Sequence, residues 1–181
     1  MTRTLYLFCS AAQPVFEVAH VIEDAQSRGW NVCLGLTPTA ARWLAGSLDG
    51  LAALTGYPVR WEYKFPGEPD VWPPADALLF APATFNSLNA WALGLTDRFT
   101  HGVAAESLGK GIPVVAMPCT NSALAAHPQF EQSLAVLRSA GVELLYGETG
   151  FTPGPAGPDG PAHFPWPAAL DSVDRAGTAQ P

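Results

Sequence analysis

The chain has 181 residues, 48 % of them apolar and 14 % charged, which suits one globular domain with a substantial core. Nine basic against sixteen acidic residues leave a net charge of −7. With no basic cluster, nucleic acid and anionic membrane surfaces are excluded as partners.

Residues 5–9 form a short apolar run, the pattern of a strand buried on both faces. Pro14, Glu17 and His20 interrupt the hydrophobicity before any signal-like stretch develops, and no segment reaches the ~18 apolar residues of a membrane span. Pro14 suits a first helical turn, and Val15, Val18, Ala19, Ile22 and Ala25 then repeat at helical spacing up to Gly29. Residues 31–36 read as a second strand, and Thr37-Pro38-Thr39 opens another helix. Residues 59–65 alternate, with Trp61, Tyr63 and Phe65 on one side, which predicts a third strand. Prolines make residues 66–74 a loop.

Residues 77–81 give a fourth strand, followed by helical segments over 86–95 and 103–108. Residues 113–117 give a fifth strand, 122–140 a long helix and 142–146 a last short strand. The chain divides into a domain over 1–147 and a Gly/Pro-rich tail over 148–181, with a short helix over 167–174. Strands alternating with helices imply a mostly parallel sheet covered on both faces, with ligands bound beyond the strands' carboxyl ends. Three cysteines without metal-ligand spacing or a disulfide framework fit a reduced, cytoplasmic setting, and no metal site is expected.

The loops after strands one, two, four and five therefore carry the expected site. Ser10, Ala11, Ala12 and Gln13 form a small-residue turn that lets a phosphate or ring approach backbone N–H groups at a helix start. There is no G-x-G-x-x-G fingerprint. Thr37 and Thr39 offer hydroxyls to a phosphate, or one of them is a helix cap. The run Ala81-Pro82-Ala83-Thr84-Phe85-Asn86-Ser87 places two hydroxyls and an amide atop a buried strand.

That run resembles the A-P-A-S-A-N-T motif of the homo-oligomeric flavin-containing cysteine decarboxylases. Ala92, Gly94 and Asp97 match the family's A-x-G-x-x-D-N, and Met117-Pro118-Cys119-Thr120-Asn121 is similar to its A-P-A-M-N. The resemblance implies a flavodoxin-like, Rossmann-type three-layer α/β sandwich, assembled as trimers or dodecamers around flavin mononucleotide (FMN). Ser10, Ala11, Ala12, Gln13, Thr37, Thr39, Pro82, Thr84, Phe85, Asn86 and Ser87 would hold the flavin, with Met117 near its ring system. In the family the flavin oxidises a substrate thiol, and the thioaldehyde so formed eases loss of CO₂. Asn121 matches the residue that holds the substrate carboxylate.

Two positions depart from the pattern. No His lies between Thr39 and Thr100, where the family has its active-site base, and Glu68 falls near that place. Thr120 stands where the clamp motif has Met. The tail has no cysteine, unlike the phosphopantothenoylcysteine decarboxylases. Glu68 and His127, which follows the Asn121 segment, are the proton-transfer candidates. The resemblance thus implies an FMN-dependent decarboxylase-like lyase acting on a small molecule or peptide terminus. The alternatives are a non-catalytic flavin-binding or regulatory subunit that lost the His, and a flavin prenyltransferase-like enzyme.

Overall fold

A computed structural model describes residues 3–157 and 163–178. Five strands, β1 (Arg3–Cys9), β2 (Trp30–Leu36), β3 (Ala77–Thr84), β4 (Val114–Cys119) and β5 (Glu143–Leu144), form one parallel sheet in the order β2-β1-β3-β4-β5. The helices are α1 (Val18–Ser27), α2 (Pro38–Trp43), α3 (Leu48–Thr55), α4 (Phe85–Ala92), α5 (Phe99–Gly109), α6 (Ser122–Ala125), α7 (Pro128–Ser139) and α8 (Trp166–Thr178). This is the flavodoxin-like order.

Strand alternation divides the core into two layers. Leu5, Leu7, Leu79, Ala81, Val115 and Met117 face α1, α3 and α8, while Phe8, Phe80, Val114 and Ala116 face α4, α5 and α7. Helix α8 buries Ala169, Leu170 and Val173 in the first layer. Arg28 clamps it through Asp171 (2.7 Å) and Asp174 (3.0 Å), and Trp30 Nε1 donates to Asp174 (2.7 Å). In the second layer Phe8 touches Phe80, Trp72 and Phe99. Gly35 leaves room for its ring, because a Cβ there would sit 2.5 Å from two ring carbons. Gly35→Ala is therefore expected to cost about 1–3 kcal/mol, read as a lower midpoint of chemical denaturation.

Four expectations change. Residues 59–65 are not a strand: Arg60 exchanges two backbone bonds with β2 (Leu36 N to Arg60 O 2.8 Å, Arg60 N to Leu34 O 3.1 Å), and the ladder stops there. Tyr63 instead donates to Thr96 O and lies on α5 at Gly102, where the missing side chain makes space. The long helix over 122–140 is broken at His127, held extended (ψ 131°) ahead of Pro128. The final strand shortens to two residues. Helix α8 extends beyond both ends of the expected 167–174 segment. Among the described residues no helix is long and apolar enough to cross a membrane.

Candidate functional site

The chain leaves β1 for one side of the sheet and returns to β3 on the other, so a crevice opens above their carboxyl ends. The crevice is pinned shut at its base. Ser10 N donates to Pro82 O (2.8 Å), and Ser10 Oγ donates to Ser87 Oγ (2.8 Å). Thr84 Oγ1 also reaches Ser87 Oγ (3.3 Å) and caps α4 by accepting from Ser87 N (3.5 Å). The Ala81–Pro82 peptide is cis. Thr37 is buried and caps α2, its Oγ1 accepting from Ala40 N (3.4 Å). Thr37 is thus the cap expected at one of the two threonines, the cap at Thr84 was not expected, and both residues still line the crevice.

Two hollows meet at Ala11. The smaller, about 500 Å³, is lined by Thr37, Thr39, Thr84, Asn86, Ser87, Asn89, Arg98 and His101 among others. Hydroxyls and a guanidinium dominate it. The larger, about 840 Å³, runs from Ala11, Ala12 and Gln13 past Trp43 to Cys119, Thr120 and Asn121. Residues 150–152 and 154–157, His163 and Pro165 form its far wall, and Ser122 N donates to Gly154 O (2.8 Å), tying that wall to the Asn121 turn. Trp43 stacks on Phe16 at the rim (centroids 5.8 Å apart, 5° between planes). No carboxylate lines this larger hollow among the described residues.

Asn121 caps α6, its Oδ1 accepting from Leu124 N (2.9 Å). Its amide nitrogen is thereby left for a ligand. Cys119 lines the same hollow, but burial pushes its thiol up to about 12, so it is protonated at neutral pH and a poor nucleophile.

Several expected residues stand elsewhere. Met117 is fully buried in the core and lines neither hollow. Phe85 turns toward Phe130 (6.1 Å) and His127 (5.7 Å). His127 is exposed and caps α7, with Nδ1 accepting from Gln129 N (3.1 Å). Glu68 accepts from Phe65 N (2.9 Å) in a separate hollow of about 440 Å³ that shares no lining residue with the other two. The structure thus brings together Ala11, Thr37, Thr39, Thr84, Asn86 and Ser87, and separately Ala11, Ala12, Gln13 and Asn121. Glu68 and His127 join neither group.

The hollows also contain groups that a reading of motifs passes over. Asn89 Oδ1, both His101 ring nitrogens and Thr120 Oγ1 are buried without a hydrogen-bond partner. Buried polar atoms are nearly always paired, so unpaired ones on residues that line a hollow single those residues out for contact with a ligand. A ligand with one polyanionic, hydroxyl-rich end and one flat apolar end fits this pair of hollows. The hydroxyls and Arg98 serve the first end, and Trp43, Phe151, Pro155 and Pro165 wall the second.

The model of one protein family, Flavoprotein, matches residues 2–170. The chain belongs to the Flavoprotein family. Solved structures share the fold across nearly the whole length. The FMN-binding protein AtHal3 aligns at TM-score 0.76 and 18 % identity, covering 100 % of both chains. The FMN-dependent cysteine decarboxylase TvaF from thioviridamide biosynthesis aligns at 0.74 and 20 %, covering 98 % of this chain and 99 % of its own. A PPC decarboxylase variant complexed with pantothenoylaminoethenethiol aligns at 0.75 and 18 %, covering 97 % and 98 %. No curated protein matches the sequence. Membership agrees with the hollows, because a flavin nucleotide has the two unlike ends they call for.

Proposed function

We propose that the chain is an FMN-dependent enzyme that oxidatively decarboxylates a thiol-bearing carboxylate, either a small molecule or a peptide ending in cysteine. The observation that carries this reading is the pair of hollows joined at Ala11, one rich in hydroxyls with a cation, the other flat-walled and ending at Asn121. Family membership and the decarboxylases among its structural neighbours support it.

Thr37, Thr39, Thr84 and Ser87 hold the phosphate, with Ser10 and Pro82 fixing the turn beneath it and Asn86 at its edge. Ala11, Ala12 and Gln13 carry the cofactor from one hollow into the other. Bound FMN supplies a two-electron acceptor beside the substrate. The chain's own part is to bind and orient: the Asn121 amide holds the carboxylate, and the loop over 150–157 shields the hollow from water. With Glu68 and His127 outside, His163 is the imidazole on this hollow's wall.

Because Trp43 and Phe16 leave an aromatic surface exposed at the rim, we place a second copy of the chain there in a homo-oligomer. Anaerobic incubation with cysteine-terminated peptides tests the activity. The expected product has lost CO₂ and two hydrogens, with the flavin bleached in step. A flavin that stays oxidised, with every peptide intact, favours a non-catalytic binding subunit, a reading consistent with the separation of Glu68 from Asn121.

A further inference from the structure

His101 is 2 % exposed on α5, yet neither ring nitrogen has a hydrogen-bond partner. The nearest acid, Asp97 Oδ1, is 3.8 Å from Nδ1, beyond hydrogen-bonding range. The ring leans on Phe80 (centroids 6.2 Å apart) and borders the smaller hollow together with Arg98, Thr84 and Ser87. An unpaired buried imidazole is a standing cost to the fold, and a ligand that bonds it removes that cost. The other groups around the hollow are mostly donors: four hydroxyls and the Arg98 guanidinium. Asp97 is the one carboxylate among the described lining, largely exposed and 3.8 Å from Arg98 Nε. Asn89 Oδ1, also unpaired, suits a hydroxyl donor such as a ribityl chain carries.

We propose that His101 and Arg98 contact the phosphate of FMN and make this site select the phosphorylated flavin over riboflavin. The proposal depends on the FMN reading above. It also predicts a proton linkage. Without ligand, burial and then Arg98 lower the His101 pKa, with Asp97 opposing in part, so the ring is neutral near pH ~7. Other ionisable groups on or beside α5 are Glu106 on the helix itself, Arg60, whose guanidinium lies 4.2 Å over the Phe99 ring, and Tyr63, which lies against Gly102 and is raised by burial, so that it stays neutral too. A phosphate dianion favours the imidazolium, so binding takes up a proton. Affinity for FMN is then highest at the lower pH and falls as pH rises through the liganded pKa of His101. Riboflavin, lacking the phosphate, shows no such fall.

The test is flavin-fluorescence titration of the apo full-length protein with FMN and with riboflavin from pH ~7 to ~9, above the phosphate's own titration. Wild type is expected to lose about tenfold in FMN affinity across this range. His101→Gln is expected to bind FMN about tenfold more weakly at pH ~7, with a flat pH profile and little change toward riboflavin. Arg98→Gln, at an exposed position that leaves the core untouched, is expected to show the same selective loss. Wild-type FMN affinity and pH profile in both variants overturn the proposal, as does an equal loss of both flavins. Wild type binding neither flavin overturns the FMN reading itself.

Discussion

Asn121→Asp is expected to abolish decarboxylation while leaving the flavin bound and the fold unchanged. The Asn121 Oδ1 atom caps α6 through Leu124 N, and an aspartate carboxylate accepts that bond equally well. The substitution removes the amide N–H groups facing the larger hollow and puts a negative charge where the substrate carboxylate lies. Like charges brought together in a binding site cost several kcal/mol, so kcat/KM is expected to fall about 10²-fold or more. The loss is measured by CO₂ release, with the visible flavin spectrum and circular dichroism as controls. Near-wild-type turnover in this variant removes Asn121 from substrate binding. Asn121→Ala serves as a comparison: it loses the cap as well, at about 1 kcal/mol, so a stability change distinguishes it from the aspartate.

Leu170→Ala is expected to destabilise the protein by about 2–5 kcal/mol, a large part of the ~5–15 kcal/mol that typically holds a domain folded. Leu170 is 1 % exposed and lies in the core layer shared by β1, β3 and β4. The neighbouring Ala169 and Val173 are fully buried, so the site has little freedom to collapse around the lost side chain. The denaturant midpoint is expected to fall with an unchanged slope. A shift below about 1 kcal/mol means that α8 is an appendage and not part of the core.

The sheet was legible in the sequence because its central strands are buried on both faces. Residues 5–9, 77–81 and 113–117 are continuous apolar runs, and no other placement hides them. The alternation of Trp61, Tyr63 and Phe65 misled because alternation records two-sidedness, not a partner. Beyond Arg60 the segment turns to α5, and only Gly102, forty residues on, makes a seat for Tyr63. The break at His127 was available from Pro128, since the residue before proline avoids helical backbone.

The hydroxyls of the smaller hollow were legible because strand ends fix their place. Arg98, His101 and Asn89 enter that hollow from the α4–α5 connection and the helices beside it, so their proximity to Thr84 and Ser87 depends on helix packing that no local pattern encodes. One signal was present: His101 sits in a run of small and apolar residues, Phe99 to Ala105, with Asp97 the acid at helical spacing from it. Glu68 was placed by counting residues through a proline-rich loop, and its bond to Phe65 N holds it in a different hollow. His163 reaches the larger hollow from the tail, where sequence spacing gives no distance to Asn121.

Whether the joined hollows hold FMN is read from the visible absorption spectrum of the purified protein together with the mass of any cofactor released on denaturation. Bands near ~370 and ~450 nm and the mass of FMN are expected, either as isolated or after adding FMN to a colourless preparation. A protein that remains colourless with FMN in excess contradicts flavin binding in these hollows.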